Sequence, residues 1–258
     1  MLIDSHCHLN YLKLTDDYPD VGTIIQKAQN EGVEKLITIG VEWSELDTIQ
    51  AIADTHDPVF FTAGIHPSEF EDVYPSMDAL IAKATHDKCV GIGETGLDYH
   101  YNDAATIADQ QRRFSEQIQI GRHLKKPVVI HTRAAKADTL AIMRNEQAQD
   151  CGGVMHCFTE DWEMAKQALD MGFYIAFSGI VTFKNAQSIQ QVAQKVPADR
   201  LLVETDAPYL APVPKRGKTN YPFYVPHTAA FLAELRGTSF QAIAQTTTDN
   251  AKRLFQLP

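Results

Sequence analysis

The chain has 258 residues, of which 44% are hydrophobic and 22% are charged, and its formal net charge is −10. A chain of this composition can bury a sizeable core, which excludes a disordered chain and a small disulfide scaffold. The apolar runs are far shorter than the ~20 residues of a membrane helix, and no secretory signal pattern is visible, so we expect a cytoplasmic protein without membrane contact. The negative charge disfavours nucleic-acid binding over the whole surface, so such a substrate would need a locally positive site.

Four cysteines are few for this length, and none of them forms a C-x-x-C pair. They are Cys7, Cys89, Cys151 and Cys157. This spacing argues against a disulfide framework and against a thiolate zinc site. We expect reduced, mostly buried cysteines.

Short apolar or β-branched runs alternate along the chain with segments of helical spacing. The runs cover residues 2–4, 35–40, 59–64, 90–93, 128–130, 154–155, 174–177 and 201–203. The helical segments cover residues 21–31, 44–55, 76–86, 104–124, 134–148, 161–171, 186–196 and 226–254. Eight βα repeats predict an α/β fold, a single-domain (β/α)8 TIM barrel spanning residues 1–258. An open doubly wound sheet is the alternative, but it favours a glycine-rich first turn, where His6-Cys7-His8 stands.

Side chains that can bind metal stand at the carboxyl ends of five predicted strands, where barrel active sites form. They are His6, His8, Glu94, His131, His156 and Asp206. His6 and His8 are two residues apart in extended chain, so both imidazoles point to one side and Cys7 points away.

A single histidine at a strand end is more often structural, so the prediction of a metal site depends on the joint pattern. Four imidazoles and two carboxylates in one buried pocket are costly without a compensating cation. They are also too many for one tetrahedral zinc ion with an open position. We therefore predict two divalent metal ions with one bridging carboxylate.

Several motifs together resemble the TatD-related metal-dependent deoxyribonucleases, which belong to the amidohydrolase-like barrel hydrolases. The motifs are His6-x-His8, 91–98 with Glu94, 130–133, 156–158, 177–179 and 204–209, and the resemblance runs from end to end. The resemblance implies that His6, His8 and Asp206 hold one metal, that His131 and His156 hold the other, and that Glu94 bridges them.

Such a metal pair suits phosphodiester hydrolysis. We expect a metal-bound hydroxide to attack phosphorus in line, Asp206 to take its proton and Glu94 to fix the metal pair. Glu204 is either a group that orients a ligand or a buried structural carboxylate. Mg²⁺ or Mn²⁺ is the expected functional ion, and Zn²⁺ or Ni²⁺ can be the ion that is bound.

The segment 207–226 has no acidic residue and is the predicted contact for single-stranded DNA or a chain end. It contains Lys215, Arg216 and Lys218, five prolines, and the aromatic residues Tyr209, Tyr221, Phe223 and Tyr224, on which bases can stack. A solvated proline-rich loop is the alternative. His66 and Arg133 are candidate phosphate contacts, with a packing role as the alternative for each.

The resemblance implies that the protein is a 3′–5′ exodeoxyribonuclease, and this is the expected function. One alternative is a dinuclear-metal barrel hydrolase that acts on a small ester, amide or phosphotriester. A second is a metal-binding module without turnover. The segment 104–124, with Gln110-Gln111-Arg112-Arg113, is predicted to be an ordinary outer helix with a charged solvent face.

Overall fold

Eight parallel strands form one sheet in which each strand pairs with the next one along the chain. The computed structural model describes residues 1–69, 74–100 and 104–258. The strands are β1 (Leu2–Cys7), β2 (Val33–Thr38), β3 (Val59–Ala63), β4 (Cys89–Asp98), β5 (Val128–Arg133), β6 (Gly153–Met155), β7 (Tyr174–Phe177) and β8 (Leu201–Val203). The sheet curls into a nearly closed barrel, which confirms the predicted TIM-barrel fold.

Helices lie on the outside of the barrel, between successive strands and after β8. They are α1 (Val21–Asn30), α2 (Leu46–Thr55), α3 (Met77–Ala84), α4 (Ala104–Leu124), α5 (Lys136–Asn145), α6 (Trp162–Asp170), α7 (Gln187–Lys195), α8 (Val225–Leu235) and α9 (Phe240–Phe255). Within the described ranges, no helix has the length and apolar character needed to cross a membrane.

The prediction of one continuous helix over 226–254 is wrong, because the chain turns between α8 and α9. Gly237 adopts a left-handed conformation with φ of 62°, which a glycine tolerates without strain. Ser239 then caps α9 by accepting a hydrogen bond from the backbone N–H of Ala242.

The barrel is packed on both faces of its strands. Alternate residues divide between two buried clusters, so that Leu36 belongs to the cluster shared with the outer helices and Ile37 to a second, smaller cluster. Phe255 of α9 packs into this second cluster together with Val129 and Leu202. The four cysteines are unpaired, as predicted, and Cys7 and Cys89 are buried.

The barrel closes between β1 and the segment that follows β8. Cys7 forms a parallel bridge with Ala207, and the backbone N–H of Asp206 donates to the carbonyl of His6 at 2.9 Å. Asp4 reinforces this closure by accepting hydrogen bonds from the backbone N–H and the hydroxyl of Thr205. Burial raises the pKa of Asp4 to about 8, although the bonds from Thr205 oppose the shift. The closure brings Asp206 beside His6 of β1 and beside His8, which follows that strand.

Three strands extend further at their carboxyl ends than the sequence indicates, and the first of them, β1, continues to Cys7. β4 continues to Asp98 and β5 to Arg133, and the two pair along this extension, with Gly96 opposite His131. Glu94 and His131 therefore lie within strands rather than at their ends. The sequence does not indicate this extra length because the added residues form their strand hydrogen bonds only with the neighbouring strand.

Candidate active site

Glu94 lies at the centre of a ring of histidines at the carboxyl end of the barrel. Its Oε1 lies 2.8 Å from His156 Nε2, 3.1 Å from His131 Nδ1 and 3.4 Å from His66 Nε2. Its other oxygen, Oε2, lies 3.3 Å from His6 Nε2. Oε1 thus faces three imidazoles and Oε2 a fourth, as a bridging carboxylate would, and the ring of His156 also stacks on that of His6 at 3.9 Å.

His6, His8 and Asp206 form the first set, on the Oε2 side of Glu94. The Nε2 atoms of His6 and His8 are 3.3 Å apart, so the two rings converge as their spacing predicts. Asp206 Oδ1 lies 3.4 Å from His8 Nε2 and 3.6 Å from His6 Nε2. His6 itself lies within a register irregularity of β1, between Asp4 and Cys7.

The second set, on the Oε1 side, contains His131 and His156 as predicted, and His66 as well. His66 Nδ1 lies 2.6 Å from the Ser68 hydroxyl, which leaves Nε2 directed at Glu94. One ligand atom each from His66, Glu94 and His131 lie within 4.8 Å of one another. The structure therefore places His66 beside the predicted metal ligands, although the sequence indicates only a phosphate contact or a packing role.

Two further carboxylates support the histidines of the second set from behind. Asp98 Oδ2 lies 3.1 Å from His131 Nε2, on the side of the ring away from Glu94. Glu204 Oε1 lies 3.3 Å from His156 Nδ1 and accepts the backbone N–H of Cys157 at 2.6 Å. Glu204 is therefore placed to orient His156, the first of its two predicted roles. Histidines that bind metals commonly have such a carboxylate on the second ring nitrogen.

The side chains present fit a metal centre. Among the described residues, His6 Nδ1 and His8 Nδ1 are buried without a hydrogen-bond partner. The two ring nitrogens of His156 face only carboxylate oxygens there, Glu94 at 2.8 Å and Glu204 at 3.3 Å. Burial raises the pKa of Glu94, but the nearby histidines outweigh burial and hold it well below the ordinary value. Several buried imidazole nitrogens around ionised carboxylates form a donor set that a divalent cation satisfies.

A cleft of about 780 Å³ opens above these side chains. Three of the four predicted substrate contacts line it, namely His66, Arg133 and Tyr209. Tyr209 is 54% exposed and its ring packs edge-on toward His8 at a centroid distance of 6.1 Å. Arg216 is not among the described residues that line the cleft, and its guanidinium lies over the ring of Phe183.

The prediction that the other aromatic residues of 207–226 offer faces to bases is wrong for Tyr221 and Phe223. Both are 6% exposed, and their rings stack on each other at 5.0 Å. They also pack against Tyr18, because burying these large rings stabilises the connection to α8 more than exposing them would.

Two glutamines of α4 hold the backbone around the site, a role that the sequence reading missed. Gln110 accepts the N–H of Asp98 at 2.8 Å and donates to its carbonyl at 3.0 Å. Gln117 forms the same pair of bonds with Ile65, the neighbour of His66, at 2.9 and 3.1 Å. Their seven-residue spacing, which places both on one helix face, is the available sequence signal. The prediction that Gln110 belongs to a solvent-exposed helix face is thus wrong, because this side chain is completely buried.

Asp98 was likewise not predicted as a functional residue. It lies four residues after Glu94 in β4, and the two-residue repeat of a strand places both carboxylates on one side. This signal becomes useful only when the strand is known to reach residue 98.

The barrel and its cluster of imidazoles and carboxylates define a metal-dependent hydrolase. The chain belongs to the TatD related DNase family, whose model matches residues 3–256.

Relatives of known sequence and structure agree with this membership. The chain is 48% identical over 256 residues to the uncharacterized metal-dependent hydrolase YcfH of Escherichia coli (strain K12), covering 99% of this chain and 96% of that protein. It is 34% identical to a protein of Citrobacter koseri named 3'-5' ssDNA/RNA exonuclease TatD, covering 92% and 93% of the two chains. The crystal structure of the TatD homologue YJJV from Escherichia coli K12 superposes with a TM-score of 0.88 at 27% identity, covering 100% and 98%.

Proposed function

We propose that the protein hydrolyses phosphodiester bonds at the 3′ end of single-stranded DNA, using two divalent metal ions. The observation that carries the proposal is the position of Glu94, whose two oxygens face separate sets of histidines. The family membership and the name of the Citrobacter koseri relative support a nucleic-acid substrate.

The proposed ligands follow from these two sets. His6, His8 and Asp206 would hold one ion, His131 and His156 the other, and Glu94 would bridge them. His66 lies close enough to Glu94 and His131 to join the second group. When bound, such ions activate water and stabilise charge on a phosphoryl group. Mg²⁺ and Mn²⁺ are the proposed functional ions.

Asp206 is the proposed proton acceptor. Its carboxylate lines the cleft beside His8. Burial raises its pKa, but a hydrogen bond from His8 and the charges of His6 and His156 outweigh burial and lower it. Asp206 is therefore ionised at neutral pH and able to take a proton from an attacking water molecule at the cleft floor.

The cleft walls supply the proposed substrate contacts. Arg133 lies at the end of β5, exposed and facing the cleft, where a guanidinium can bind a phosphate with two hydrogen bonds. Tyr209 presents an exposed ring beside His8, on which a terminal base can stack. These contacts orient a chain end above the metal ligands.

The test is product analysis over time on 5′-labelled single-stranded DNA with Mg²⁺, Mn²⁺ or chelator. We expect a metal-dependent ladder that shortens from the 3′ end, and its loss in Glu94→Gln and Asp206→Asn. Glu163→Gln is the matched control, since Glu163 is on outer helix α6 and bonds to Gln167.

Absence of cleavage by folded, metal-loaded protein would refute the proposal. Hydrolysis of a small ester, amide or phosphotriester by that protein would then identify a small-molecule hydrolase. Metal binding without any turnover would identify a binding module.

A further inference from the structure

Two long segments of this acidic chain contain no acidic residue, and the fold places their loops side by side. Residues 171–198 and 207–233 contain five lysines and arginines and no aspartate or glutamate. The first segment carries the loop after β7 and the second the loop after β8. Both loops lie at the carboxyl end of the barrel, beside the candidate active site.

Specific contacts join the two loops into one surface, here called the β7–β8 wall (residues 179–186 and 209–218). The Thr182 hydroxyl accepts the backbone N–H of Val213 at 2.9 Å. A Cβ on Gly179 would lie 2.0 Å from the carbonyl oxygen of Leu210, so the two backbones are in close contact there. Ile180 and Leu210 line the cleft, which makes the wall continuous with the active site.

The cations of this wall are held in place by aromatic rings. The Arg216 guanidinium lies 4.2 Å from the ring centre of Phe183, and Lys215 Nζ lies 5.2 Å from that of Tyr224. Lys184 follows Phe183 in the sequence, Lys218 lies two residues after Arg216, and both lysines are exposed to solvent. Tyr209 and Val213, exposed by 54% and 46%, add apolar surface between the cleft and the cations.

The opposite side of the cleft has the opposite charge. Glu42 and Glu69, which follow β2 and β3, line the cleft. Strands β3 and β7 are four positions apart in an eight-stranded barrel, so they lie across its mouth from each other. A polyanion in the cleft is therefore repelled on the β2–β3 side and attracted on the β7–β8 side.

We propose that the β7–β8 wall binds the body of a single-stranded nucleic acid, several nucleotides away from the end that is being cleaved. Phosphates contact Lys184, Arg216 and Lys218, and the bases that follow the terminal base on Tyr209 lie over Val213, a combination that tolerates any sequence. The acidic side prevents the strand from continuing across the mouth, so only a chain end reaches the metal ligands. This inference rests on the proposed function and adds a preference for long strands.

The experiment compares the dinucleotide pTpT with an oligothymidylate of about 20 residues, using metal-loaded protein at several salt concentrations. In Lys184→Ala/Arg216→Ala we expect the ratio of kcat/KM between the long and the short substrate to fall about tenfold. The slope of log kcat/KM against log salt for the long substrate should become shallower by about 1.4, since each single-strand phosphate contact contributes about 0.7.

Lys125→Ala/Lys252→Ala is the matched control, because it removes the same charge at the opposite end of the barrel. Lys125 is exposed in the turn before β5, and Lys252 of α9 pairs with Glu34 of β2. We expect this variant to keep both the ratio and the slope.

The outcomes separate the inference from the proposed function. If the ratio and the slope are unchanged in Lys184→Ala/Arg216→Ala while cleavage is intact, the inference that the β7–β8 wall binds nucleic acid is overturned. The proposed nuclease function would then still stand. An equal effect in the control would show that net charge rather than this wall is responsible, and would also overturn it. Absence of cleavage of either substrate by the unmodified protein would overturn the proposed nuclease function.

Discussion

The carboxylate of Asp98 lies 3.1 Å from Nε2 of His131, on the ring nitrogen opposite the one that faces Glu94. The pair fixes the ring orientation of a proposed metal ligand, and the backbone of Asp98 is itself held by buried Gln110. The site is thus supported by a chain of polar contacts that extends from α4 through Asp98 to His131, one of the proposed metal ligands.

Replacement of Asp98 should weaken metal binding. In Asp98→Asn we expect about 10–100-fold lower metal affinity, because the amide lacks the negative charge that strengthens the imidazole as a ligand. Competition titration with Mn²⁺ or Zn²⁺ measures the affinity. Asp138→Asn is the control, since Asp138 bonds to Tyr99 and Gln111 instead. Equal affinity in Asp98→Asn and the unmodified protein would contradict the role.

Removal of metal should lower thermal stability. A ligand at a hundredfold excess over its Kd stabilises the folded state by about 2.7 kcal/mol. For a chain of this size we expect chelator to lower the Tm by roughly 5–10 °C. The difference in Tm with and without chelator should shrink in Glu94→Gln, because this variant loses the charge of the proposed bridging carboxylate. The metal content of this variant should fall from two ions per chain to one or fewer. Calorimetry with and without chelator measures the effect, and a Tm unaffected by chelator would argue against a structural contribution from metal.

The buried glutamines should matter for both stability and metal affinity. Gln110→Leu leaves the backbone N–H and carbonyl of Asp98 without partners in a buried position, which costs about 2–4 kcal/mol of the free energy of unfolding. Denaturant unfolding of the apoprotein measures the loss, and metal titration shows whether Asp98 has shifted. Gln119→Leu, on the exposed face of α4 with a bond to Glu146, should change stability by less than about 0.5 kcal/mol. Similar losses in the two variants would refute this role.

Gly96 should tolerate no side chain. Its φ is 134°, and a Cβ there would lie 2.0 Å from the carbonyl oxygen of His131. We expect Gly96→Ala to destabilise the protein by about 3 kcal/mol or more, and to displace His131, because backbone atoms cannot yield as a flexible side chain does. Gly152→Ala is the control: its φ is 68°, but the space around it is open, so the cost is only about 1 kcal/mol. Denaturant unfolding separates the two, and equal losses would show that the contact with His131 is unimportant.

The alternation of apolar runs and helical spacing was sufficient to predict the barrel, because each strand and helix has its own repeat in the sequence. The six proposed metal ligands could be named for the same reason. The carboxyl ends of parallel barrel strands all lie at the same end of the barrel. A histidine or carboxylate near the end of a strand can therefore be placed at the barrel mouth from the sequence alone.

Other features depended on contacts between distant segments. The burial of Tyr221 and Phe223 depends on Tyr18, and the roles of Gln110 and Gln117 depend on backbone groups 12 and 52 residues away. Local composition cannot distinguish a buried aromatic residue from an exposed one in a loop.

The sequence by itself therefore determined the order of the elements and the chemistry at the strand ends, since both follow from periodicity along the chain. Only the tertiary structure decided that Asp98 supports His131, that His66 joins Glu94, and that Arg216 lies on a wall beside the cleft. These relationships depend on the direction in which side chains point across the barrel mouth, and that direction is fixed by packing between strands and loops far apart in sequence.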